Sequence, residues 1–146
     1  MSPAAPTGYS GKPVWQKLGL APHVRVLVRS APGDYAALVA ADEHALLLIG
    51  PRAAFDLVHV FADKAVQLGK ELKSLSARLP ADGVIWISWP KKSSGVRTDI
   101  TEDTVRAIAL PMGLVDIKVC AIDATWSGLK LMWRKEARAG KPGSRA

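Results

Sequence analysis

The pattern of apolar and polar positions along the chain predicts an α/β protein. Three short runs are apolar and rich in β-branched residues without alternating, at residues 24–29 (VRVLVR), 56–61 (DLVHVF) and 84–88 (VIWIS). Runs of this kind are typical of strands buried in a mainly parallel sheet. Residues 45–49 (ALLLI) form a weaker fourth candidate, because leucine suits a helix equally well.

Two segments between these runs have the spacing of amphipathic helices. Residues 63–79 carry apolar side chains at helical intervals, at Val66, Leu68, Leu72, Leu75 and Leu79. Residues 99–112 repeat the pattern, with Asp99 predicted as N-cap and Gly113 as C-cap. Strands that alternate with helices predict right-handed βαβ units.

The last third of the chain changes to an alternating pattern. Residues 114–123 and the following LKLMW form two such segments, separated by about five residues that include Gly128. This arrangement predicts an antiparallel hairpin. The expected fold is therefore a single Rossmann-like α/β domain over residues 8–136, mainly parallel, with helices on both faces and a C-terminal antiparallel hairpin. Residues 1–7 are predicted to be a flexible N-terminus.

Composition narrows the class of protein. With 146 residues, 49% of them hydrophobic, the chain is long enough for one packed domain and is not expected to be disordered. No apolar run approaches the ~20 residues that span a bilayer, and MSPAAPT lacks the features of a secretory signal. The single cysteine, Cys120, excludes an internal disulfide, and no metal site is expected. These features predict a cytoplasmic protein.

The positive charge is concentrated near the ends of the chain. The net charge is +7, yet residues 24–133 hold 13 basic and 12 acidic side chains. Residues 137–146 (ARAGKPGSRA) are predicted to be a flexible basic tail that offers no apolar face to the core. Nucleic acid is therefore not the expected partner, although interaction with nucleic acid or with a protein through this tail is one alternative.

Two short sequence segments in the middle of the chain resemble the class I methyltransferase architecture. FDLVHVF at residues 55–61 is similar to its fourth strand, and LPADGVIWIS at residues 79–88 to the passage that leads into its fifth. The cofactor loop departs from this pattern, because SAPGDY at residues 30–35 has one glycine and a proline without an N–H. The acidic residue expected about 20 positions on would fall near Ile49. We therefore expect no cofactor, and no adenosylmethionine bound at tens of micromolar.

A second resemblance covers nearly the whole chain. GYSGKP at residues 8–13, WPKK at 89–92, and GLVD with WSGLK at 113–116 and 126–130 are similar to a bacterial family known only as a domain of unknown function. The resemblance implies a bacterial cytoplasmic protein of this fold. It implies no activity, substrate or catalytic residue.

The best candidate site follows the third confident strand. In open α/β sheets, ligands bind outside the carboxyl ends of the parallel strands. There the sequence places the candidate anion-binding residues Lys91, Lys92, Ser93 and Arg97. Hydrated cations in an exposed loop are the alternative interpretation. Asp34, Tyr35 and Asp63 are candidate polar residues of the same crevice.

Other residues with possible chemistry have simpler structural interpretations. GYSGKP lacks the spacing and the hydroxyl residue of a phosphate-binding loop, so a turn before a short helix is favoured. His59 is expected to be a satisfied histidine inside a strand, Cys120 to pack, and Ser127 to lie in the hairpin turn. Trp89 is the one tryptophan expected to be exposed beside a cation.

These features favour a non-catalytic or cofactor-poor domain that binds an anionic small molecule or partner segment. A divergent methyltransferase or other group transferase is the enzymatic alternative. The catalytic residues of such an enzyme cannot be named from the sequence, and neither can the oligomeric state.

Overall fold

The protein is described from a computed structural model, which covers residues 11–141. The predicted N-terminal segment at residues 1–7 and the last five residues of the predicted tail lie outside the described residues. The strands are β1 Arg25–Arg29, β2 Leu47–Leu48, β3 Leu57–Phe61, β4 Val84–Pro90, β5 Leu114–Val119 and β6 Trp126–Trp133. The α-helices are α1 Val14–Lys17, α2 Tyr35–Leu38, α3 Ala65–Ser76 and α4 Glu102–Ala109.

The strands form one six-stranded sheet in the order β2-β1-β3-β4-β6-β5. The first four strands in this order pair in parallel. Strand β6 lies between β4 and β5 and is antiparallel to both. The predicted fold class, a mainly parallel sheet with a C-terminal antiparallel hairpin, is confirmed.

Each face of the sheet has its own core. Helices α3 and α4 cover one face. Their leucines and valine pack on the side chains at odd-numbered positions of β4, such as Ile85 and Ile87. Helices α1 and α2 cover the other face, around Trp86. The indole nitrogen of Trp86 donates a hydrogen bond to the carbonyl of Leu18, 2.9 Å away, which ties the end of α1 to the sheet. Helices therefore cover both faces, as predicted.

The helix ends differ in part from the sequence pattern. Gly113 has a φ of 95°, a left-handed conformation that suits the predicted C-cap. The N-cap of α4 is Thr101, whose side chain accepts a hydrogen bond from the N–H of Thr104. The prediction of Asp99 as this cap is wrong. Val66 is also misassigned, because its side chain is 71% exposed rather than part of the buried face of α3.

The hairpin turn comes earlier than the sequence suggests. Strand β6 already begins at Trp126, so Ser127 lies within the strand, opposite Trp89. The expectation that Ser127 belongs to the turn is wrong. Gly128 explains why this part of the strand contains glycine: a Cβ there would lie 2.8 Å from the backbone oxygen of Cys120. The backbone at Cys120 is too close to leave room for any side chain at position 128.

The connection from β2 to β3 has no helix. Residues 49–56 run from β2 to β3 as turns and irregular chain. Strand β2 is only two residues long, and its leucines, 39% and 49% exposed, lie at one edge of the sheet. No helix in the described part of the chain is long and apolar enough to cross a membrane.

The first residues of the predicted tail contact the domain. Ala137 is half-buried and packs against the core beneath α3 and α4. The ammonium nitrogen of Lys141 lies 3.9 Å from the centre of the Trp133 ring, a cation–π contact. The expectation that this segment offers no apolar face to the core is wrong at Ala137.

Candidate functional site

The carboxyl ends of the parallel strands form one edge of the sheet, which we call the carboxyl edge. Strand order reverses between β1 and β3, because β1 continues to β2 on one side and β3 to β4 on the other. Open α/β sheets bind ligands at such a reversal. The turn of the β5–β6 hairpin lies at the same edge, since β5 runs in the same direction as β4.

One pocket at this edge lies between the loops that follow β3 and β4. We call it the Asp63–Arg97 pocket. Its volume is about 310 Å³, and it is lined by Asp63, Lys64, Arg97, Thr98 and Asp99. The structure thus brings together one predicted crevice residue, Asp63, and one predicted anion-binding residue, Arg97.

Hydrogen bonds between the two loops fix the wall of the Asp63–Arg97 pocket. The hydroxyl of Thr98 donates to the carbonyl oxygen of Asp63 over 2.7 Å. Oδ1 of Asp99 accepts a hydrogen bond of 2.7 Å from the N–H of Ala65. Asp99 therefore caps α3, a helix distant in sequence, rather than the helix that follows it. The two loops are therefore joined by side-chain hydrogen bonds in both directions.

The other charged groups of this pocket have no such structural role. The carboxylate of Asp63 and the cationic groups of Lys64 and Arg97 make no hydrogen bond or ion pair within residues 11–141. Lys64 and Arg97 are exposed, and Asp63 is half-buried. Two cations and a carboxylate are therefore available to a ligand at the carboxyl ends of neighbouring strands.

The remaining predicted anion-binding residues lie farther along the same loop. The backbone N–H of Lys91 donates to the carbonyl of Thr125 in the hairpin turn, 2.7 Å away. A short 3₁₀ turn, Lys92–Ser94, follows and ends at Gly95, which has a φ of 76°. Lys92 and Ser93 are exposed, and neither lines the Asp63–Arg97 pocket. Their anion-binding role stays a prediction.

A second pocket of about 360 Å³ separates the β1–α2 loop from the hairpin turn. Asp34 lines it, together with Asp123 and Trp126. The Oδ1 atom of Asp34 also caps α2 by accepting a hydrogen bond from the N–H of Ala36 at 3.2 Å. Asp34 and Asp63 therefore lie in different pockets rather than in one crevice.

Tyr35 lies in the core, in a chain of buried hydrogen bonds. Its side chain is 5% exposed, and its hydroxyl lies 2.7 Å from Nδ1 of His59. The other ring nitrogen of His59 lies 2.7 Å from the Ser88 hydroxyl. Burial lowers the pKa of His59 to about 3 and raises that of Tyr35, so both groups are neutral near pH 7. The expectation of a satisfied histidine is confirmed.

Trp89 does not stack on a ligand. It is 6% exposed and packs in the core beneath α3 and α4, so the expectation of an exposed tryptophan beside a cation is wrong. Cys120 is buried, as expected, and burial raises the pKa of its thiol. Residues 11–141 contain no group of three or more His, Cys, Asp or Glu side chains that could hold a metal ion.

The loop after β1 does not fit a dinucleotide or adenosylmethionine in the usual way. That mode of binding needs glycines that let the backbone approach the ligand and a helix that opens beneath it. Here Ser30 takes a left-handed φ of 61°, Pro32 lacks an N–H, and α2 is a single turn of four residues. Any such ligand would have to be held by other groups.

The sequence did not single out Lys64 or Thr98. Lys64 follows a buried strand, which is the same signal that drew attention to Lys91. Thr98 gives no signal of its own, because its role depends on a hydrogen bond to a loop 35 residues away. Only the folded structure could place it beside Asp63.

Comparisons with known proteins agree with this fold. No protein-family model and no curated protein matches the chain. A solved structure of a protein in the NADB-Rossmann superfamily from Streptococcus agalactiae matches with a TM-score of 0.55 and 7% identity, over 88% of this chain and 71% of that one. The m1A22 tRNA methyltransferase TrmK of B. subtilis matches with a TM-score of 0.53 and 8% identity, over 85% and 67%.

A third match is LepI in complex with SAM, with a TM-score of 0.52 and 13% identity. It covers 82% of this chain but 39% of LepI. At these identities the matches show a Rossmann-like fold with a methyltransferase-like architecture, and no more. The resemblance to a bacterial family of unknown function stays a hypothesis.

Proposed function

We propose that the protein is a divergent group transferase that binds a donor or acceptor with an anionic group in the Asp63–Arg97 pocket. The observation that carries this proposal is that three charged side chains of the pocket have no hydrogen-bond or ion-pair partner within the described residues. These side chains belong to Asp63, Lys64 and Arg97. They line a pocket between the carboxyl ends of adjacent parallel strands.

The chemistry of these groups suits recognition of phosphate or carboxylate. The planar guanidinium of Arg97 can donate two parallel hydrogen bonds, and the ammonium of Lys64 acts as a point charge. Asp63 supplies a carboxylate that could accept a proton from an attacking nucleophile. Asp99 is held in place by its bond to α3 and so keeps the pocket wall fixed.

The comparisons favour transfer chemistry over simple binding. TrmK is a tRNA methyltransferase and LepI is in complex with SAM, and both are similar in fold to this chain. Because the β1–α2 loop does not fit adenosylmethionine in the usual way, we assign no methyl donor. A different donor, held by Lys64 and Arg97, is consistent with both observations.

The proposal can be tested by thermal shift with defined probes. Acetyl-coenzyme A and inorganic phosphate should raise the melting temperature of the parent protein more than chloride at matched ionic strength, because binding the native state stabilises it. S-adenosylmethionine at tens of micromolar should not. Arg97→Ala should remove the response, whereas Lys91→Ala/Lys92→Ala should keep it. Equal shifts in the melting temperatures of the parent and Arg97→Ala would show that the probes do not bind in the Asp63–Arg97 pocket.

A non-catalytic binding domain is the second candidate, and the incomplete β1–α2 loop favours it. Hydrolysis of acetyl-coenzyme A separates the two, because a transferase passes some of its donor's group to water. In a transferase, Asp63→Asn should slow release of the thiol by about 100-fold, the usual contribution of a general base, and leave binding intact. Binding without any release above the uncatalysed rate would favour the non-catalytic domain.

A further inference from the structure

Two lysines face each other across the β5–β6 hairpin. Lys118 and Lys130 are direct cross-strand partners, next to a bulge at residues 116–118. Side chains at such positions begin about 5 Å apart on the same face of a sheet, and like charges there destabilise the pair. The arrangement therefore costs stability in the free protein.

The structure does not offset this repulsion. Neither Lys118 nor Lys130 makes a hydrogen bond or ion pair within residues 11–141. Lys118 is exposed and Lys130 is half-buried. Burial and the charge of Lys118 lower the pKa of Lys130. Removal of either charge would relieve this repulsion.

A third lysine extends the pair across the sheet. Burial raises the pKa of the Cys120 thiol, while the charges of Lys17 and Lys118 lower it. Lys17 belongs to α1, which packs beside Trp86, the partner of Lys130 in β4. We call Lys17, Lys118 and Lys130 the lysine stripe.

We propose that the lysine stripe binds the phosphodiester backbone of a nucleic acid. Neither Lys118 nor Lys130 lines the pockets at the carboxyl edge, and two neighbouring charges outside a pocket suit an extended polyanion better than a small anion. Backbone phosphates would replace repulsion by attraction at Lys118 and Lys130. This inference uses none of the residues of the Asp63–Arg97 pocket and does not depend on the proposed function.

The inference concerns the folded body and not the basic tail. Residues 24–133 have nearly balanced charge, with 13 basic and 12 acidic side chains, so total charge gives no hint of a binding face. Three of the six arginines of this region pair with acids, in Arg25–Asp56, Arg29–Glu71 and the cluster around Arg106. Lys118 and Lys130 are left as a local excess of positive charge.

Fluorescence anisotropy with a labelled oligonucleotide tests the proposal on the full-length chain. Lys118→Gln/Lys130→Gln should weaken binding by at least ten-fold and reduce the slope of log affinity against log salt by about 2, one for each lost phosphate contact. Lys91→Ala/Lys92→Ala is the matched control, with the same loss of charge, and should bind like the parent. Absence of binding by the parent, or equal binding by the glutamine variant, would overturn the proposal.

The stability of the same variants gives a second readout. Lys118→Gln should raise the melting temperature of the free protein in low salt, because it removes the like-charge pair. The gain should vanish when saturating oligonucleotide is present. A fall in the melting temperature would show that Lys118 has a structural role, contrary to the proposal. Equal stabilisation by inorganic phosphate would indicate a small-anion site and also overturn it.

Discussion

The imidazole of His59 lies in the middle of the sheet between two hydroxyl groups. It has no exposed surface, and its hydrogen bonds link Tyr35 of α2 to Ser88 of β4. A neutral histidine in such a site must accept one hydrogen bond and donate the other. Protonation would leave a buried charge without an acidic partner, which explains the low pKa of the ring.

We expect His59 to make the protein sensitive to moderate acid. Its pKa is about 3 when folded and near 6.5 when unfolded, so between these values the unfolded chain binds the extra proton. Stability is therefore fully present above pH 6.5 and falls with decreasing pH, by about 1.4 kcal/mol per pH unit well below 6.5. Urea denaturation at pH 7.5, 6, 5 and 4 measures this slope.

The matched variant for this prediction is His59→Gln, which keeps a donor and an acceptor but does not titrate. Its stability at pH 7.5 should be lower than that of the parent, because the amide fits the site less well. Its stability should change less between pH 6 and 4. Asp56 and Asp116, whose pKa values are lowered by hydrogen bonds from Arg25 and Arg106, should cause the loss below pH 4 in both proteins. Parallel pH curves would refute the assignment to His59.

The sequence could predict that His59 is buried, because it lies in an uninterrupted apolar strand. It could not predict the partners of the ring, since Tyr35 and Ser88 are 24 and 29 residues away and depend on the register of the sheet. The same limit explains why Tyr35 was expected in the crevice. Its position after β1 is correct, but its direction is set by the packing of α2.

Helix caps show how loops from different parts of the chain are joined. The pattern of Asp99 followed by Glu102 suits a cap of α4 by spacing alone. In the structure Asp99 instead reaches the N–H of Ala65, and Thr101 caps α4. Sequence spacing shows which nearby helix Asp99 could cap. The position of the β3–α3 loop determines that it caps α3 instead.

We expect Asp99→Ala and Thr101→Ala each to reduce the free energy of unfolding by about 1 kcal/mol, the usual value of an N-cap. The reason is that each variant removes the side-chain oxygen that satisfies one helix N–H. Asp82→Ala, at an exposed turn, is the control and should change stability by less than about 0.5 kcal/mol. Chemical denaturation measures all three. An Asp99 variant as stable as this control would contradict the capping of α3.

The whole molecule follows the sequence prediction in architecture more closely than in detail. The buried runs, the helical spacing and the late alternation are distributed over many residues, so they predict the sheet and its hairpin despite local errors. Pockets depend on a few loop residues, and the spacing of apolar and polar residues does not predict the conformation of loops. Only Asp63 and Arg97 of the seven predicted site residues therefore line the Asp63–Arg97 pocket.

At the C-terminus we expect the chain beyond Glu136 to contribute to stability. A protein ending after Glu136 should melt a few degrees lower than one ending after Lys141, because it loses the packing of Ala137 and the contact of Lys141 with Trp133. Differential scanning calorimetry measures the difference. Identical melting temperatures would show that these contacts add nothing.

The position of β6 bears on how the protein is made. Strand β6 is the last strand of residues 11–141, yet it lies inside the sheet, between β4 and β5. During synthesis the apolar strand β4 therefore has an open edge until the ribosome has added residues 126–133 and released them. Such an edge can pair with another nascent chain. The sheet can therefore be completed only after β6 has been synthesised. A chaperone bound to β4 would protect the chain until then.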